Sequence, residues 1–227
     1  MSIILPHSSA DFKNNELRTL EFICARGFFD SDFGELAAAL NQAHDKYVGS
    51  KKNFDFEFVS DFEMEIEDKQ HRVVLHAQVQ GNYSFTTYSI GVCGKGNSTE
   101  LIRRFHFDYI HSNTSKKQKV PVSHLQYGGQ SGNGFDGKQF LTNNLEDWLS
   151  EPRINHPPIN LALLLDMVFC EFFNENTKQI VENPEWRTLI KKNEEFIFGH
   201  YYKTISDHIH SVKHNKENLV RDICYGI

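Results

Sequence analysis

Hydrophobic positions recur at intervals of three and four over the first fifty residues, the spacing of one helix face. Phe12, Leu17, Leu20 and Ile23 mark a first helix that Ser9 can cap and Gly27 can end. Phe33, Leu36, Ala37, Leu40, Ala43 and Tyr47 mark a second, closed by Gly49. The period then changes to two. Phe54, Phe56, Phe58, Phe62, Met64 and Ile66 share one parity, and Asp55, Glu57, Asp61, Glu63, Glu65 and Glu67 the other. A half-buried strand, or two strands in series, with a carboxylate-lined outer face follows from that alternation. Further strands are expected at His71–Gln80, Tyr83–Val92, Leu101–Ile110 and Val120–Tyr127. Their short connections make a five-stranded antiparallel meander.

From Gly128 the chain becomes glycine-rich, with Gly128, Gly129, Gly132, Gly134 and Gly137 within ten positions. Pro152, Pro157 and Pro158 then hold an extended connection. Two helices are expected at the C-terminal end. Asn160 can cap Leu161–Phe173, which is apolar nearly all round and so central, with Cys170 in the core. Asn183-Pro184 supplies a cap and an N1 proline for a helix running to about Val212, with Trp186, Leu189, Ile190, Ile197, Tyr201 and Ile205 as its stripe. Helices, five strands, a glycine-rich loop and two more helices define an α+β fold, read as a single domain over residues 1–227.

Composition narrows the partners. Lys+Arg is 24 against Asp+Glu 30, a formal charge of -6. That balance does not favour nucleic acid as the principal ligand, because phosphate binding needs concentrated positive charge; the Lys116, Lys117, Lys119 run reads as a solvated hairpin tip. Met1 to Pro6 has no basic start or apolar stretch of a secretory signal, and Leu161–Phe173 is too short and too acidic for a membrane span. Cys24, Cys93, Cys170 and Cys224 are far apart and form no C-x-x-C pair, so reduced thiols in a cytoplasmic protein are expected.

Histidine is abundant, at 12 residues, and only part of the set shares a face. In Leu101–Ile110, Arg104, His106 and Asp108 point one way; in the following strand, His124 and Gln126 share a parity. A simple hairpin closed by residues 111–119 would set His106 opposite His124 and Arg104 opposite Gln126, next to Gly128 and Gly129. Two imidazoles and a carboxylate suffice for a metal with open positions or for proton transfer near neutral pH. The same residues also suit a hydrogen-bonded structural network, or a recognition surface in which Arg104, Gln126 and the Gly128 and Gly129 amides read an anion. His210 and His214, four apart, suit the C-terminal end of a helix dipole better than a metal. Cys93 has no helix N-terminus or basic partner in view that would make it a reactive thiolate.

Phe105-His106-Phe107-Asp108-Tyr109, then Pro121-Val122-Ser123-His124-Leu125-Gln126-Tyr127-Gly128-Gly129, then Pro152-Arg153 and Pro157-Pro158, resemble a pattern in uncharacterised bacterial proteins of mobile and phage-defence gene islands. The order of elements, with Trp148-Leu149-Ser150-Glu151-Pro152 before an apolar helix, is similar to the ubiquitin-conjugating fold. That family carries a Cys after a His-Pro-Asn motif, whereas this chain has His124-Leu125-Gln126 and no Cys between Cys93 and Cys170, so the likeness implies an inactive, binding-only relative. Together these readings lead to an accessory component of a bacterial defence or toxin–antitoxin-like module that binds a protein partner through the polar sheet face and glycine-rich loop, with no cofactor. The alternative is a metal-dependent hydrolase, a phosphodiesterase or nuclease, using His106, Asp108 and His124 with a divalent metal. The sequence does not decide whether the protein is an enzyme.

Overall fold

Alternation and turn spacing resolve into one sheet. The computed structural model describes residues 56–66, 69–80, 85–95, 100–110, 123–127, 153–172 and 174–211, together with helical positions between 14 and 45. Five antiparallel strands follow in chain order, β1 (Phe56–Ile66), β2 (Lys69–Gln80), β3 (Phe85–Lys95), β4 (Leu101–Ile110) and β5 (Ser123–Tyr127). A sixth, β6 (Arg153–Asn155), pairs with β5 within the segment expected to be a plain extended connection. Three residues are too few for alternation to show in the sequence. The charged strand β1 lies at a sheet edge, where carboxylates discourage pairing with another chain. Glu57 and Glu63 are exposed, and Asp61 pairs with Arg72 at 3.3 Å.

One sheet face is apolar. Leu75, Ile90 and Phe105 stand in register across β2, β3 and β4, as do Ala77, Tyr88, Phe107 and Leu125 across β2 to β5. Against this face pack α1 (Leu161–Glu171) and α3 (Pro184–Glu194). Their starts follow from the sequence. Asn160 caps α1 by accepting from the Leu163 amide at 3.0 Å, and Asn183 caps α3 by accepting from the Glu185 amide at 2.9 Å, with Pro184 in the first turn. Each such cap contributes about 1 kcal/mol. The short α2 (Glu175–Val181) lies between them. Asn174 and Thr177 bond reciprocally there, amide to side chain in both directions, at 2.8 and 2.9 Å.

The expected central helix is enclosed all round only over its first five residues. Leu161 to Leu165, Val168 and Phe169 are buried, but Cys170 is exposed and not in the core, because by then the helix presents a face to solvent. Trp186 of α3 is fully buried between Phe22 (ring centroids 5.8 Å apart) and Phe169 (6.0 Å), so the N-terminal helical positions join the same core. A chain of buried amides fastens them: Asn160 donates to Asn193 at 2.8 Å, and Asn193 donates to Thr19 at 3.1 Å and to the Leu189 carbonyl at 2.9 Å. The last helix is not uniform. After α3 come one π turn, Glu195–Gly199, and then α4 (His200–Ser211). Among the described residues no helix is long and apolar enough to cross a membrane.

Candidate metal centre

The other sheet face carries a group of buried polar side chains. Two rows cross all six strands on it. Glu57, Gln78, Thr87, Asp108, His124 and Asn155 form the first; Val59, His76, Ser89, His106, Gln126 and Arg153 form the second. Alternation puts every residue of these rows on one side of the sheet. Arg104 stands one position further along β4 on the same face. Opposite it is Gly91. Arg104 is only 1% exposed and His124 2%, and Thr87, Ser89, His76, His106 and Gln126 are also buried.

The hairpin register differs from expectation. His106 pairs with Gln126 and Asp108 with His124, rather than His106 with His124 and Arg104 with Gln126. The slip is two residues, one full strand period, so each side chain keeps its face. It moves the carboxylate between the two imidazoles. Asp108 Oδ2 lies 3.2 Å from His106 Nε2 and 3.4 Å from His124 Nε2. The second distance is long for a hydrogen bond and is better regarded as attraction between charge and imidazole. The two rings meet edge to face, centroids 6.3 Å apart.

Among the described residues, these three form the one grouping of His, Cys, Asp or Glu suited to a metal, with the donor atoms all within 4.8 Å of one another. A tetrahedral ion with bonds of about 2.0–2.1 Å sets its donors roughly 3.3 Å apart. Two edges of the triangle, at 3.2 and 3.4 Å, match that spacing. Burial raises the Asp108 carboxyl, but contacts from His106 and His124, the His106 charge and a Thr87 hydrogen bond outweigh it, so the carboxyl is held well below the usual range. An ionised carboxylate flanked by two imidazole nitrogens is a competent ligand set for Zn, Mn or Fe(II), with positions left open. Two buried atoms of the cluster, His106 Nδ1 and Asp108 Oδ1, have no hydrogen-bond partner among the described residues.

The sequence does not by itself place Thr87, Ser89, His76 and Glu57 with this cluster. All four carry the parity of this face within β1 to β3. His76 is buried, which lowers its basicity despite the Glu57 carboxylate 3.2 Å from its Nε2. Cys93 is core as well: burial pushes its thiol up to about 11, and its carbonyl lies 2.9 Å from His71 Nδ1. His210 turns its ring back onto the Ser206 carbonyl of its own helix. Gly128, Gly129, His214, Cys24, Cys224 and the lysines of residues 116–119 lie outside the described residues. No protein-family model, curated protein or solved structure matches the chain.

Proposed function

We propose that His106, Asp108 and His124 hold a divalent transition-metal ion and that the protein is a metal-dependent hydrolase acting on an anionic ester such as a phosphodiester. The observation that carries this reading is the triangle of donor atoms within 4.8 Å on a buried polar face. Such an ion supplies a nucleophilic hydroxide at neutral pH and polarises the scissile group. Asp108, held ionised, offsets the ion's charge and orients both imidazoles. Arg104, on the same face two residues from His106, adds the positive charge that favours an anionic substrate. The test is titration of metal-stripped protein with Zn(II) and Mn(II) by calorimetry, followed by hydrolysis of bis(p-nitrophenyl) phosphate. One ion per chain and turnover that vanishes in His124→Ala support the reading. Absence of binding by the wild-type protein overturns it.

The reading as an accessory protein that docks a partner rests on different residues. A face on which Arg104 and His124 are almost wholly covered does not suit a globular partner. Tyr127 at 60% and Ile154 at 56% exposure do. They border an apolar cavity of about 260 Å³ between the sheet and α1, lined also by Phe105, Phe107, Leu125 and Met167. Co-purification with the product of a neighbouring gene, lost on Ile154→Asp, supports this second reading; retention in that variant removes it.

A further inference from the structure

Ser89 lies on β3 directly across from His106 on β4. Its hydroxyl is fully buried, and neither Ser89 Oγ nor His106 Nδ1 has a hydrogen-bond partner among the described residues. Two buried, mutually complementary polar atoms on facing positions are unusual, because each unpaired group costs about 1–3 kcal/mol. Directly opposed positions bring Cβ atoms to roughly 4.5–5.5 Å, a span closed by a hydroxyl rotation or by one water.

We propose that Ser89 is the positioning partner of His106, bonding its Nδ1 directly or through one buried water and so fixing the ring with Nε2 toward Asp108 and the ion. The extension to metal affinity rests on the metal reading above; the hydrogen bond itself does not. A serine hydroxyl suits the task because it both donates and accepts. When the His106 Nε2 proton points at Asp108, Nδ1 is an acceptor and Ser89 donates. When Nε2 is bound to a cation, Nδ1 must carry the proton and Ser89 accepts. An alanine serves neither state, and an amide in this space would have to turn over between them. On its other flank Ser89 faces His76 on β2, whose Nε2 lies 3.2 Å from Glu57 Oε1. The row therefore runs from the centre, past a second imidazole, to a carboxylate that is 54% exposed.

The experiment compares wild type, Ser89→Ala and Ser89→Thr, each as the full chain. Histidine side-chain nitrogen NMR on the metal-free protein reads the hydrogen bond: the His106 Nδ1 signal should shift in Ser89→Ala and return toward wild type in Ser89→Thr. Calorimetry with Zn(II) reads the consequence, a loss of about 10–100-fold in affinity for Ser89→Ala with the melting temperature of the metal-free form unchanged or raised. An unmoved His106 Nδ1 signal in Ser89→Ala overturns the proposal, and so does wild-type zinc affinity in that variant. If the wild-type chain binds no zinc, the hydrolase reading falls and the nitrogen signals still decide the role of Ser89. If Ser89→Thr does not fold, the Ser89→Ala comparison alone decides.

Discussion

Asp108 and His124 are partners twice over. They face each other across β4 and β5 in direct register, and the Asp108 carboxylate lies 3.4 Å from the ring nitrogen of His124 while also approaching His106, two residues along its own strand, at 3.2 Å. One oxygen thus serves a neighbour along the strand and a neighbour across it.

The first expectation concerns acid. The folded Asp108 carboxyl is depressed below its ordinary value of 3.8. A depressed folded pKa adds stability above the unfolded value, and that stability is lost as pH falls toward the folded one. The wild-type melting temperature should therefore fall more steeply below about pH 4 than that of Asp108→Asn, which lacks the titrating group. Parallel curves in a differential scanning series would refute the assignment.

A bound ion should show in thermal stability as well. At a free metal concentration 100 times Kd, the native state gains about 2.7 kcal/mol. Thermal melts in rising Zn(II) should climb with the logarithm of concentration in wild type and stay flat in His106→Ala. An equal climb in both would point to ions bound elsewhere.

The Asp166 carboxylate accepts from the buried Trp186 indole at 2.7 Å, and burial raises its pKa against the lowering effect of that bond. Here the sign is reversed. Stability from this group is fully present below the unfolded value and is lost as pH rises through the raised folded one. Asp166→Asn keeps an acceptor without the charge, so it should melt higher than wild type at pH 7 and close to it near pH 3. Asp166→Ala strands the indole N–H and should cost about 1–3 kcal/mol, roughly 2–4 °C per kcal/mol for a chain of this size.

Gly199 closes the π turn, and a methyl group added there would meet nothing within 4 Å. Gly199→Ala should stabilise the protein by about 0.5–1 kcal/mol, by restricting the unfolded chain and favouring helix. A lower denaturation midpoint would show that the turn needs glycine for another reason.

Parity made much of this fold legible beforehand. Phe56 through Ile66, alternating with acidic residues, marked a half-buried strand, and the parities permitted Arg104, His106 and Asp108 to share a face with His124 and Gln126. Parity does not report register. Any slip by an even number leaves every face intact, and the connection from Ile110 to Ser123 is too long in sequence for a two-residue turn to fix the pairing. Hence Asp108, and not His106, meets His124. Ser89 and Thr87 were hidden for another reason: a serine or threonine in a strand is ordinary by composition and becomes notable only when register sets it beside an imidazole or a carboxylate. Cys170 was misplaced because an apolar helical run does not say which of its turns leaves the core.

The π turn carries a consequence for how this protein tolerates change in length. A π turn is one residue longer than the α turn it replaces, and each residue advances a helix by about 100°. The extra residue sets the phase of everything beyond it. Tyr201, in the next turn, is buried and accepts from Asn155 of β6 at 3.3 Å, which ties the last helix to the strand beside His124. Deleting one residue between Glu195 and Gly199 would swing Tyr201 about a quarter turn from that strand. Apart from the buried Ile197, the segment is governed by its count of residues more than by their identities, so substitutions at its exposed positions Glu195 and Gly199 should be mild where a single-codon deletion is severe.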